Sequence, residues 1–410
     1  MHALLAALIF AATYLVMAVG RVPGWQVERA GAAFIGAVAM VATGVLPLAD
    51  AFAAIDLGTI LLLLGMMVVA AALAASGFFA LATEAVAARV RHPLALLAAI
   101  VAATALLSAL LVNDTVCLVL APLVLAVARR LRRDPVPYLI AVALAANVGG
   151  AATLTGNPQN MIVGAASAIP YRAFAASLTP PALFGVALAV VLVALLWPGE
   201  FLAPARLAAA RLDPPVAAPE SRGLERGLVA KGLAVALGLV VALLAGVPPP
   251  EAALAAAALS IASRRLPTAA LLAAVDWQLL VMFSGLFVVV RGLEARLLTP
   301  DAVAAIGHLA LARMPLLALV TAALSNIVSN VPAVLVLKPF VAALPDAPRA
   351  WRVVAMASTF AGNFTILGSV ANLIVVQQAR AEGVEIGFWT YWRVGAPLTL
   401  ATIGFGLFWL

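Results

Sequence analysis

The chain has 410 residues, of which 66% are hydrophobic and only 10% charged, and its mean hydropathy is +1.16. That composition excludes an ordinary soluble domain and predicts an integral membrane protein. A net charge of +7 could suit nucleic acid, but the basic residues sit in short loops between apolar runs, where Lys and Arg orient membrane helices, so no nucleic-acid partner is expected.

A membrane helix needs about 20 apolar residues. Such runs are predicted at 3–19, 31–48, 57–75, 181–197, 228–246, 251–263, 276–293 and 394–410. The first lacks the basic start and cleavage pattern of a secretory signal and reads as a membrane helix. Two further spans, 136–168 and 350–380, are each broken by a polar, Gly-containing segment, giving about ten transmembrane helices in an all-α polytopic chain.

Two regions remain, 93–131 and 302–345, each with a polar cluster midway: "VNDT" and "SNIVSNVP". A continuous helix over 93–128 alone would be about 54 Å long, against a hydrocarbon core of about 30 Å. Each region is therefore predicted to be a re-entrant hairpin. Only seven of the 24 basic residues then lie outside (Arg172, Arg291, Arg296, Arg313, Lys338, Arg349 and Arg352), with the N-terminus also outside. The expected location is a bacterial-type inner membrane.

The Pro- and Arg-rich stretch 198–227 reads as a cytoplasmic linker between a first repeat, 1–197, and a second, 228–410. "IDLGTILLLLGMM" (55–67) aligns with "VDWQLLVMFSGLF" (275–287), and "NVGGAATLTGNPQNMIV" (147–163) with "TFAGNFTILGSVANLIV" (359–375). Between them "LVNDT" aligns with "IVSNV", a shift of 216. The paired helices run in opposite senses, so the repeats are inverted, with two re-entrant hairpins and two broken helices. That is the layout of secondary transporters.

Unwound backbone is tolerated at membrane depth only where it lines a cavity or is buried in protein. The candidate solute-binding residues are therefore those at the four breaks: Asn113 and Thr115; Thr155, Gly156, Asn157, Gln159 and Asn160; Ser325, Asn326, Ser329 and Asn330; Gly368, Ser369 and Asn372. Their amides and hydroxyls suit an oxygen-rich solute, and their carbonyl oxygens near Asn113, Asn157, Asn330 and Asn372 could also hold sodium. A plain kink at Gly156 and Pro158 is the competing reading.

Asp114 is the carboxylate placed at membrane depth, where a charge costs about 2.5 to 3.5 kcal/mol. A carboxyl withdrawn from water holds its proton more readily, so Asp114 is the candidate for proton coupling, or else a helix cap. Asp56 and Asp276 read as N-caps. Cys117 reads as a small core residue, and as a single thiol it excludes an internal disulfide. His2, His92 and His308 lack ligand spacing, so no metal centre or cofactor is expected. Without intramembrane His or paired acids, an enzyme reading is poor.

At "VNDTVCLVLAPLVL", "TGNPQNMIVG", "SNIVSNVPAVLVL" and "LGSVANLIV" the sequence resembles the ion transporter superfamily, in particular its arsenite/antimonite efflux permeases and the silicic acid efflux carriers. The resemblance runs over nearly the whole chain. It implies a scaffold and a mobile transport domain, in a homodimer. By position it assigns Asn113 and Asp114 to the first tip, and Gly156, Asn157, Pro158 and Asn160 to the first broken helix. Ser329, Asn330 and Pro332 fall on the second tip, and Gly368, Ser369 and Asn372 on the second broken helix. The related dicarboxylate symporters carry Ser-Asn-Thr at both tips, from which this chain departs.

The expected activity is proton-coupled efflux, by alternating access, of a small oxyanion or weak oxyacid, arsenite-like or silicic-acid-like. The alternative is a sodium-coupled anion or carboxylate symporter, or a sodium/proton antiporter.

Overall fold

The computed structural model describes residues 2–22, 24–89, 92–201, 226–297 and 311–410. Over these the chain forms twenty α-helices and no β-strand. The first half comprises α1 (His2–Val19), α2 (Arg29–Ala42), α3 (Leu48–Ala54), α4 (Leu57–Ala75), α5 (Phe78–Arg89), α6 (Pro93–Leu110), α7 (Asn113–Arg130), α8 (Pro135–Gly150), α9 (Pro158–Ser167), α10 (Tyr171–Leu196) and α11 (Pro198–Phe201). The second comprises α12 (Arg226–Leu244), α13 (Pro249–Ile261), α14 (Thr268–Ala273), α15 (Trp277–Leu297), α16 (Met314–Val328), α17 (Asn330–Ala342), α18 (Ala347–Ala361), α19 (Val370–Ala381) and α20 (Phe388–Trp409).

Among the described residues six helices are long and apolar enough to cross a membrane: α1, α4, α6, α10, α12 and α15. Shorter apolar helices, α2, α8, α16 and α17, complete the interior. Most of the linker, 202–225, and residues 302–310 of the second hairpin lie outside the described residues.

The two halves interlock. α2 packs along α15, and α13 along α4, each helix of one half against a helix of the other. Glycine sets both crossings. A Cβ at Gly65 would lie 2.7 Å from the Ala253 carbonyl carbon, and one at Gly285 would lie 2.6 Å from that of Ala33. Both pairs are related by a shift of 220, so the repeat seen in the sequence is a repeat of contacts.

In the first half α6 and α7 both pack on α8; in the second α16 and α17 both pack on α18. α7 starts at Asn113 and carries Pro122; α17 starts at Asn330 and carries Pro339. These features align at a shift of 217, which corrects the expected 216 by one residue. Asn113 thus matches Asn330, and Asp114 matches Val331.

α10 begins at Tyr171 rather than at 181, because the helix runs through Pro180 and Pro181 instead of stopping there. Proline at 181 removes the donor that the Ser177 carbonyl would use. The indole N–H of Trp409 replaces it, donating to Ser177 O at 3.1 Å. α2 stops at Ala42, short of the expected 48, where Gly44 turns the chain at φ +69°. The short α3, α5 and α14 were not foreseen, being below the length of a span.

Candidate functional site

Each broken helix is held open by one asparagine. α8 ends at Gly150 and α9 starts at Pro158, capped by Asn157, whose Oδ1 accepts from Asn160 N at 2.8 Å. The Asn160 side chain donates to the carbonyls of Gly150 (3.1 Å) and Thr153 (2.9 Å). In the second half the Asn372 side chain donates to Gly362 O (2.7 Å) and Thr365 O (3.0 Å). Unwound carbonyls would otherwise lie unpaired in an apolar interior, at a cost of about 1–3 kcal/mol each.

Gly156 and Gly368 permit the sharp return. A Cβ at Gly156 would collide with the Gly150 backbone, and one at Gly368 would come within 2.9 Å of Gly362 O and Asn326 Oδ1. The Gly156 carbonyl then accepts from the backbone N–H of Asn113 at 3.0 Å, tying the first tip to the first break.

Asn147 and Thr359 each bond across the halves. Asn147 Oδ1 accepts from Asn113 Nδ2 and Ser369 Oγ, both at 3.0 Å, and its Nδ2 donates to Asn363 Oδ1 (2.9 Å) and Asn372 Oδ1 (3.0 Å). Thr359 Oγ1 accepts from Asn157 Nδ2 and Gln159 Nε2, both at 3.2 Å, and donates to Asn160 Oδ1 at 3.4 Å. Sequence reasoning singled out neither. Their mutual alignment, Asn147 with Thr359 inside the quoted repeat, was the available signal.

A narrow cavity of about 30 Å³ lies where the tips and breaks meet. Asn113 and Asp114, Pro158 and Gln159, Ser329 and Asn330, and Ser369 line one wall; Leu279, Met282 and Phe283 of α15 line the other. Six of the expected residues are thus brought together, with one or more from every break. Asn113 keeps a buried, unpartnered Oδ1 there. With its amide turned so that nitrogen and oxygen exchange places, Asn330 donates to Ser358 O (3.0 Å) and Gly368 O (3.3 Å). The Asp114 carboxyl faces the backbone N–H of Ala371 at the start of α19, and Asp276 is its nearest acidic neighbour.

The other candidates lie outside the lining of this cavity. Asn157, Asn160 and Asn372 spend their side chains on the breaks, as described. Thr155 meets Tyr171 OH at 3.2 Å, behind the cavity. Asn326 donates to Ala322 O (3.1 Å) and Ala361 O (3.0 Å), Ser325 is buried on α16, and Thr115 is half-buried beyond the lining. Of the four Asn named for sodium, only Asn113 and Asn330 reach the cavity. Asp56 and Asp276 cap their helices through Thr59 N (3.0 Å) and Leu279 N (2.9 Å), and Cys117 is fully buried.

Comparison with known proteins places the chain among membrane transporters. A family model described as "Citrate transporter" (CitMHS) matches residues 9–361. The chain belongs to the CitMHS citrate transporter family. It is 32% identical to the uncharacterized transporter Rv2684 of Mycobacterium tuberculosis, over 98% of this chain and 96% of that one. It is 30% identical to the silicon efflux transporter LSI3 of Oryza sativa subsp. japonica, over 94% and 93%. The solved YdaH transporter of Alcanivorax borkumensis has the same fold, with a TM-score of 0.57 at 18% identity, over 99% of this chain and 95% of that one. This CitMHS member is a polytopic membrane transporter.

Proposed function

We propose that the protein is a proton-coupled secondary transporter that exports a small weak oxyacid or its oxyanion, arsenite-like or silicic-acid-like, by alternating access. The observation that carries the reading is the cavity: both tips, both breaks and one carboxyl, Asp114, converge on it. Its lining holds hydroxyl, amide and carboxyl groups and no Lys or Arg among the described residues. The buried Asn113 Oδ1 has no hydrogen-bond donor, and a solute hydroxyl admitted beside it would supply one.

Asp114 binds a proton on one side and yields it on the other, while the solute occupies the site in the opposite phase. The helix pairs α6–α7 and α16–α17 act as re-entrant hairpins, the N-terminus lies outside, and the protein works as a homodimer. The resemblance to a silicon efflux transporter over nearly the full chain supports the substrate class.

A second reading takes its substrate from the matched family's description as a citrate transporter: transport of a carboxylate, with sodium as the coupling ion. Protein in liposomes with an internal pH dye separates the two. Silicic acid or arsenite should move protons in the wild type and not in Asp114→Asn. Sodium-dependent citrate uptake, unchanged in that variant, would sink the first reading.

A further inference from the structure

A second cavity, of about 320 Å³, opens where α15 and α17 continue away from the narrow one. On α15 the narrow cavity takes Leu279, Met282 and Phe283, and the wide one takes Phe287, Val290, Arg291 and Glu294. On α17 Asn330 belongs to the first and Lys338 to the second. Eight residues of helix set these about 12 Å apart. Buried Phe283 lines the narrow cavity and buried Phe287 and Leu335 line the wide one, so apolar side chains set the wide cavity, or vestibule, apart from the narrow one.

Four charges line the vestibule: Asp50 of α3, Arg291 and Glu294 of α15, and Lys338 of α17. At the shifts that relate the repeats, 220 for the first three and 217 for Lys338, the other half carries Ala270, Ala71, Ala74 and Ala121. The same architecture is therefore built without any of these charges. They are not needed for packing, and they mark one membrane side only.

Their states differ. Asp50 and Arg291 are both exposed, so water and salt screen each of them in part. Glu294 lies 3.5 Å from Arg291, whose side chain is half exposed and keeps further N–H donors open. Lys338 is half-buried and has no hydrogen-bond or ion-pair partner among the described residues. The unmatched interior charge is positive. Arg291 and Lys338 stand on different elements, and an oxygen-rich anion can bridge them.

We propose that the vestibule is a second, shallow binding station that holds the ionised oxyanion between Lys338 and Arg291, whereas the deep cavity has no basic group. The inference rests on the transport reading for its substrate class. An ionised oxyanion leaving the deep site is retained at Lys338 and Arg291 before release. The charges thereby give one membrane side an anion preference that the other side lacks.

The test needs no transport. Ala54 lines the vestibule, and Ala54→Cys places a thiol there, while fully buried Cys117 is shielded; the parent without that change sets the baseline. Labelling rates are compared for methanethiosulfonates carrying a sulfonate or a trimethylammonium group, in proteoliposomes. The sulfonate-to-ammonium rate ratio should fall at least about threefold in Lys338→Ala and in Arg291→Ala, and stay high in Lys338→Arg. Inorganic phosphate should slow sulfonate labelling in Ala54→Cys and lose that effect when Lys338→Ala is added.

An unchanged ratio, or equal phosphate protection without Lys338, overturns the station. Preference for the ammonium reagent with protection by sodium also overturns it, and assigns the acids a cation instead. Because the labelling reads local charge, it can succeed where the proton assay fails, and the reverse.

Discussion

Asn147 and Thr359 hold the same place in the two repeats, and each binds the broken helix of the other. Asn147 engages Ser369, Asn363 and Asn372; Thr359 engages Asn157, Gln159 and Asn160. The two breaks are thereby fastened to each other, not only to their own halves.

Removing one hub strands its partners in a dry interior. Asn147→Leu leaves four polar groups unpaired and is expected to destabilise by about 3 kcal/mol or more. Thr359→Val strands Gln159 Nε2 and Asn160 Oδ1, while Asn157 Nδ2 keeps Gly150 O, and should cost about 1–2 kcal/mol. Unfolding in detergent, followed by tryptophan fluorescence, reads both. Equal stability of Asn147→Leu and wild type would show that the network contributes nothing.

The interlocked crossings predict a contrast among glycines. Gly65→Ala and Gly285→Ala each drive a methyl into backbone of the opposite half, at 2.7 Å and 2.6 Å, where no side chain can turn away. Overpacking of that kind costs about 1–3 kcal/mol. Gly238→Ala and Gly404→Ala meet nothing within 4 Å and should be neutral or slightly stabilising. Thermal stability of the four purified variants checks the contrast.

Much of this was legible in the sequence because membrane depth leaves few options. Apolar runs gave α4, α12 and α13 within two residues of their ends, and the paired polar breaks located both broken helices. The hidden part came from chemistry without a pattern. Pro180 and Pro181 looked like a boundary, since nothing in sequence reveals that Trp409 supplies the missing donor. Asn160 and Asn372 read as ligands for a solute, and sequence did not show that their amide N–H groups donate to the carbonyls the break itself exposes. The one-residue register error at the tips arose from matching Ser329 with Asn113 by polarity, where the helix starts match Asn330.

Glu200, on α11 beyond the end of α10, gives a pH dependence. Burial pushes its carboxyl above the ordinary 4.5, while the Tyr138 hydroxyl (3.0 Å) and Arg133 (3.5 Å) pull it back in part. A carboxyl raised in the folded state contributes stability below its unfolded pKa and loses it as pH rises through the folded one. Wild-type stability should therefore decline from about pH 4.5 upward relative to Glu200→Gln, whose curve lacks that component. Parallel curves for the two proteins would refute the assignment.

Asp114→Asn separates coupling from structure at the first tip. The Asn side chain keeps an oxygen to face the Ala371 amide and nearly the same volume, so the variant should fold and retain its stability within about 0.5 kcal/mol. It cannot exchange a proton. Net export against a proton gradient should therefore stop, while exchange of labelled for unlabelled solute across the membrane, which needs no proton, should continue. Loss of both activities in a folded variant would make the carboxylate a ligand of the solute instead of a proton carrier. Retention of both would leave Asp114 with a capping role alone.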